Sequence, residues 1–252
     1  YNQGIGSHRI SKQLGISKTT VLDYLRKLDI NRRENNGNLQ RKYDLDFSYF
    51  TEINTEEKAY ILGILCADGS TYKDEYKVSI GLVEKDLPVL EFIKEQLGYT
   101  GPLYYNNRNS KNEKWQNTYT LSISSKQIWE DCQKWGLLIN KTFKTTFPLT
   151  IPKGFYKDFI RGYFDGDGYV SKKGYRIELV GTEELLIEIA NQIHFNTGYT
   201  WSYNRKRHPE RNNNIITLVY AGKNKCKAIA EYLYPVDTLF GMKRKKDKLL
   251  SF

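Results

Sequence analysis

The chain has 252 residues, with 39 Lys and Arg against 29 Asp and Glu, a net charge of +10 and 20 tyrosines. Such a length can bury a normal core in one large or two small domains, and the basic balance favours a polyanionic partner, nucleic acid first. Cys66, Cys132 and Cys226 lie far apart with no CxxC pair, which argues against a disulfide scaffold or a zinc site, and the longest apolar runs, such as 59–67, are too short for a bilayer.

Residues 7–14 and 18–29 read as two helices around a break at Gly15. Ser17 is a good N-cap for the second, which carries Val21, Leu22, Leu25 and Leu28 on one face, opposite Ile10 and Leu14. The pair resembles a helix-turn-helix DNA-binding unit over residues 1–30. Lys18, Thr19 and Thr20 would open its recognition helix. The stretch 31–41 is polar and rich in Asn and Arg, and residues 31–54 read as a linker whose Arg32 and Arg33 can touch phosphate. The chain starts at Tyr1 without a secretory signal, which reads as an incomplete or processed N-terminus and a cytoplasmic, reducing location.

From residue 55 a repeat begins. The first half, 55–150, reads as a helix over 56–68, strands near 70–72 and 76–83, a helix over 86–97, strands near 103–109 and 116–124, and a helix over 126–135. The second half, 151–252, follows the same order. It has a helix over 153–167, strands near 169–171 and 175–180, a helix over 183–196, strands near 200–207 and 213–221, and a helix over 224–234. The segments Thr120–Lys126 (TLSISSK) and Thr217–Lys223 (TLVYAGK) align at an offset of 97. The fold class is α+β: two pseudo-symmetric αββαββα halves behind a small helical segment.

Each half opens on an apolar helical run that ends in Asp-Gly. Gly63 and Ala67 are spaced i,i+4 in the first, Gly162 and Gly166 in the second, and Asp68 and Asp167 stand 99 residues apart. Residues four apart share a helix face, so two such faces let the helices pack backbone on backbone, each ending beside the other. Gly69 and Gly168 stand where a left-handed residue would stop each helix. A carboxylate at a helix C-terminus opposes the dipole, and two brought together repel. A divalent cation removes both penalties, and a few oxygen ligands open to phosphate favour Mg²⁺.

These nine-residue segments, Ile61–Gly69 (ILGILCADG) and Ile160–Gly168 (IRGYFDGDG), resemble the motif of the LAGLIDADG homing endonucleases. The first departs at Cys66, where the family often has an acid. Two copies imply a monomer of two halves, with the motif helices at their interface and paired sheets forming a saddle in the DNA major groove. The resemblance implies a site-specific double-strand DNA endonuclease acting in a nucleoid or organelle matrix. Asp68 and Asp167 would bind the metal with help from the carbonyls of Ala67 and Gly166, and other divalent ions could substitute. A non-catalytic DNA-binding regulator and an RNA-splicing maturase of the same fold are the alternatives.

Strand alternation gives each sheet one apolar and one polar face. The polar face of the first half would carry Lys77, Ser79, Gln116, Thr118, Thr120 and Ser122, joined by Tyr104, Asn106 and Arg108. That of the second would carry Arg176, Glu178, Ser202, Asn204 and Lys206, with the parity of 201–207 open. Such side chains suit base edges. Lys141, in the context GLLINKT, resembles the family's lysine-bearing loop. In the second half, Lys243 and Lys245 are equal candidates for a lysine at the scissile phosphate.

Overall fold

The computed structural model describes residues 1, 5–30, 42–137, 143–171, 173, 175–205 and 214–252. Two compact units divide at Lys42 and Tyr43. Arg32, Arg33, Lys141 and Lys206, expected from the sequence to contact DNA, lie outside the described residues.

The first unit contains α1 (Ser7–Leu14) and α2 (Lys18–Lys27). Gly15 ends α1 at φ 63°, a left-handed conformation that glycine adopts without a Cβ penalty. The Ser17 side chain accepts from Thr20 N at 3.0 Å and caps α2. Val21 and Leu25 are buried as the face predicts, whereas Leu14 and Leu28 remain exposed. Lys18 and Thr19 are exposed at the start of α2, and Thr20 is half-buried.

In the second unit, residues 43–54 are not a tether. Tyr49, Phe50 and Ile53 are buried in the main core. Trp135 Nε1 donates to Phe50 O at 2.6 Å, and Asp46 N to Leu97 O at 2.9 Å. This correction to the linker has a plain cause. The segment is built of turns, so its apolar residues follow neither the helical nor the strand period.

The first half then runs α3 (Glu56–Asp68), β1 (Gly69–Tyr72), β2 (Lys77–Val83), α4 (Leu87–Gln96), β3 (Tyr104–Asn106), β4 (Thr118–Ser124) and α5 (Lys126–Lys134). The second runs α6 (Tyr156–Asp167), β5 (Gly168–Ser171), β6 (Arg176–Thr182), α7 (Glu183–Thr197), β7 (Ser202–Arg205), β8 (Ile215–Ala221) and α8 (Lys223–Leu233). A further helix, α9 (Lys243–Leu249), forms where the sequence showed only a basic cluster. Both sheets are antiparallel, in the orders β1-β2-β4-β3 and β5-β6-β8-β7. Each half therefore repeats the other strand for strand.

The repeat predicts the packing of α3 on α6. All residues of α3 from Ala59 to Cys66 are buried, as a helix that is apolar all round requires. A Cβ on Gly63 would fall onto Phe159 O and lie 2.9 Å from Tyr163 N. One on Gly162 would fall onto Tyr60 O and lie 2.9 Å from Ile64 N. The two contact sets are related by the same 99-residue offset that relates the motifs, so the crossing is a pseudo-twofold. Glycine is required at both positions because the opposing atoms are backbone and cannot rotate away.

Candidate active site

The helices α3 and α6 end side by side. A Cβ on Gly166 would run into Ala67 Cβ and lie 3.1 Å from Asp68 Oδ2. The missing side chain at Gly166 thus leaves a cradle for the Asp68 carboxylate at the end of the opposite helix. Asp68 and Asp167 are both exposed, whereas Gly69 and Gly168 are buried.

The stop signal read at those two glycines is corrected. Gly69 has φ −74° and Gly168 φ −79°, both with extended ψ, so each helix passes directly into a strand. The physical need is space. A Cβ on Gly69 would sit 2.5 Å from Leu65 O, and one on Gly168 would strike the Phe164 ring and carbonyl. The direct join fixes each aspartate at the junction of a helix and the first strand of its sheet.

Burial separates the two later lysines. Lys243 is exposed, and its ammonium is ion-paired with Asp247 at 2.6 Å. Lys245 is buried, and its ammonium donates to Phe164 O at 3.0 Å and Gly166 O at 2.7 Å. A cation at a helix C-terminus offsets the negative end of the dipole. Burial holds Lys245 down to about 8, with Asp165, Asp68 and Asp167 pulling upward and Arg244 downward. Both motif aspartates are therefore within charge range of this lysine. They also reach Tyr163, whose hydroxyl donates to Val180 O at 2.8 Å. Burial first, then Asp167, keeps that phenol well above its ordinary value.

Asp165, two residues before Asp167, is fully buried. It accepts from Tyr60 OH at 2.8 Å, from Tyr234 OH, and from Met242 N at 2.7 Å. Burial raises its carboxyl, and the three donors and Lys245 oppose that shift. The sequence reading missed this acid, although it stands in the Asp-Gly-Asp-Gly ending where α3 has Cys66. It also missed Arg161 and Asp158, a buried pair in contact at 3.0 Å but out of hydrogen-bond alignment.

The open sheet faces follow the predicted parity. In β2 and β4, Val78, Ile80, Leu82, Leu121 and Ile123 are buried. Lys77, Ser79, Thr118, Thr120 and Ser122 face the other way, paired as Ser79↔Ser122 and Val83↔Thr118. Tyr104 pairs with Thr120 and Asn106 with Thr118. Asn106 Nδ2 donates to Thr120 Oγ1 at 3.1 Å, which puts both on the open face. Arg108 and Gln116 lie beyond the strand ends, with the Arg108 guanidinium 5.3 Å from the Trp115 ring. Ser70 and Tyr72 were missed; β1 starts directly after Asp68 and sets them opposite Ser79 and Lys77.

In the second sheet Arg176 and Glu178 form an ion pair along β6. The register resolves the open parity, with Ser202 opposite Val219 and Asn204 opposite Thr217. Tyr169 is exposed beside them, with Lys248 5.4 Å from its ring.

Among the described residues no group of three or more His, Cys, Asp or Glu side chains gathers into a metal site. The oxygens gathered at the helix ends are those of two carboxylates and the adjoining carbonyls, of which Gly166 O already accepts from Lys245 Nζ at 2.7 Å. That set suits a hard ion that keeps several waters, as Mg²⁺ does. No helix among the described residues is long and apolar enough to cross a membrane.

The chain matches the family model of the LAGLIDADG-like domain twice, over residues 55–136 and 154–234. It is 30% identical over 148 residues to the DNA-directed RNA polymerase subunit Rpo1C of Methanocaldococcus jannaschii, a match covering 58% of this chain and 15% of the subunit. It is 23% identical over 209 residues to the uncharacterized protein MJ0398 of the same organism, covering 77% of this chain and 67% of that one. Among solved structures it resembles the meganuclease I-SmaMI bound to uncleaveable DNA. That likeness has a TM-score of 0.50 at 11% identity over 77% of this chain and 88% of the meganuclease, and it shows a shared fold. With two matched repeats, each opening on a motif helix, the chain belongs to the LAGLIDADG-like domain family.

Proposed function

We propose that this chain is a site-specific endonuclease that uses divalent metal, Mg²⁺ in the first instance, to cut both strands of duplex DNA. The observation that carries this reading is the pair Asp68 and Asp167. They are exposed at the abutting ends of two glycine-packed helices, in charge range of a buried lysine.

Hydrolysis of a phosphodiester adds a water oxygen to phosphorus and breaks the P–O3′ bond. The departing O3′ takes a proton, and negative charge builds on the phosphoryl oxygens. A bound divalent ion supplies Lewis acidity and an acidified water. Asp68 and Asp167 would hold it, assisted by the carbonyl of Ala67; the Gly166 carbonyl, the other expected ligand, already accepts from Lys245 Nζ and would have to share that oxygen. The Lys245 ammonium, already directed at the end of α6, would offset charge at the phosphate. Lys141 is its counterpart candidate in the first half.

The open sheet faces would lie along the major groove. Lys77, Ser79, Tyr104, Asn106, Thr118, Thr120 and Ser122 offer donors and acceptors in the first half; Arg176, Glu178 and Ser202 do so in the second. We infer that α1 and α2 form a helix-turn-helix that lengthens the contact through Lys18, Thr19 and Thr20. The recovery of cleaved molecules from a randomised duplex library tests the function. With Mg²⁺ the protein should enrich one extended sequence cut at fixed positions on both strands. Recovery of uncut but tightly bound duplexes alone would leave a DNA-binding protein and refute the nuclease.

A further inference from the structure

The segment after α8 crosses the boundary between the halves. Phe240 stacks on Phe92 of α4, with centroids 4.9 Å apart and planes at 11°, and meets Tyr60 of α3 edge-on at 5.2 Å. The buried Arg161 guanidinium lies 4.6 Å from the same ring. Met242 N then donates to Asp165. Arg244 reaches back to the first half, where its Nε lies 2.9 Å from both oxygens of Asp86, and a terminal nitrogen lies 2.8 Å from one of them. Asp86 is buried just ahead of α4. Lys245 follows immediately, aimed at the carbonyls of α6.

We propose that Asp86, Arg244 and Asp165 are positioning residues: they clamp the start of α9 across both halves and so hold Lys245 beside one of the two scissile phosphates. The inference rests on the nuclease reading and adds an asymmetry to it. A fork of two charge-assisted bonds fixes orientation as well as distance. One residue separates that fork from the peptide nitrogen held by Asp165, and Lys245 leaves the next position. Its aim is therefore set from two sides. Of the two motif helices, only α6 carries buried charges. Where α6 has Asp158, Arg161 and Asp165, α3 has Ala59, Leu62 and Cys66 at the 99-residue offset. Loosening the clamp should disturb one strand's cleavage more than the other's.

The test is the time course of a supercoiled plasmid carrying the selected site, resolved into nicked and linear forms. Wild type should pass to linear DNA with little nicked circle. Arg244→Ala and Asp165→Asn should accumulate nicked circle, with the second cut slowed at least tenfold and Kd within twofold of wild type. Lys245→Met should show the same pattern. Arg244→Lys, which keeps the charge but loses the fork, should fall between. Arg244→Ala leaves the buried Asp86 carboxylate unpaired, so the melting temperature of each variant is measured beside its cutting, and Arg244→Lys, which keeps a cation opposite Asp86, carries the test where the alanine variant does not fold. Equal slowing of both strands, or loss of binding in proportion to loss of cutting, would overturn the clamp. A wild-type protein that leaves the plasmid intact would overturn the nuclease reading and the clamp together.

Discussion

Gly162→Ala puts the smallest side chain where a Cβ has almost no room. Its Cβ would fall onto Tyr60 O and lie 2.9 Å from Ile64 N, both backbone atoms of α3. Neither can rotate aside, so α3 and α6 must separate. Overpacking a tight core costs about 1–3 kcal/mol, and rigid backbone opposition points to the upper end. Alanine returns about 1 kcal/mol through helix propensity, leaving roughly 2 kcal/mol of destabilisation. For a unit of this size that lowers Tm by about 4–8 °C. Gly154→Ala, where a Cβ meets nothing within 4 Å, is the control and should change little. Scanning calorimetry of both variants reads the difference. A Gly162→Ala protein melting at or above the wild-type temperature would refute the close crossing.

Further outcomes follow from the same geometry. Burial pushes Asp158 up to about 6, with Arg161 the largest opposing influence. The folded state then holds that proton more tightly than the unfolded chain, so the contribution is complete below about pH 4 and is lost as pH rises through about 6. At 1.36 kcal/mol per unit the change is roughly 3 kcal/mol. Denaturant titrations of Asp158→Asn should lack this decline, and an identical pH dependence in both proteins would contradict it. Removing residues 1–42 should shorten the DNA footprint at one end and raise Kd in a salt-dependent way, because Lys12, Lys18, Arg26, Arg32 and Arg33 leave together. A footprint of unchanged length would mean that α1 and α2 do not touch the target. Asn106→Ala and Thr120→Ala should relax base preference within one half-site at about 1–3 kcal/mol per lost base contact. Uniform weakening across all positions would assign these residues to phosphate.

The motif helices were legible because their information is local and repeated. Gly63 and Gly162 keep their spacing to Asp68 and Asp167 in both copies, and spacing alone sets the shared face. The strand pairs were legible through alternation, as at Val78, Ile80 and Leu82. Residues 43–54 were not, since Tyr49, Phe50 and Ile53 reach the core from turns. The clamp was not legible either. Tyr60, Asp86, Asp165, Tyr234, Phe240 and Arg244 are far apart in the chain and meet only through the fold. Lys243 and Lys245 are equivalent by composition; the turn that starts α9 buries one and exposes the other.

Metal-dependent cleavage at the selected site tests the paired aspartates most directly. With Mg²⁺, wild type should convert supercoiled plasmid to linear DNA, and chelation should stop it. Asp68→Ala and Asp167→Ala should bind the site with near wild-type affinity yet produce no linear product. Linear product formed at the wild-type rate by either variant would contradict the assignment of the two carboxylates to the reaction.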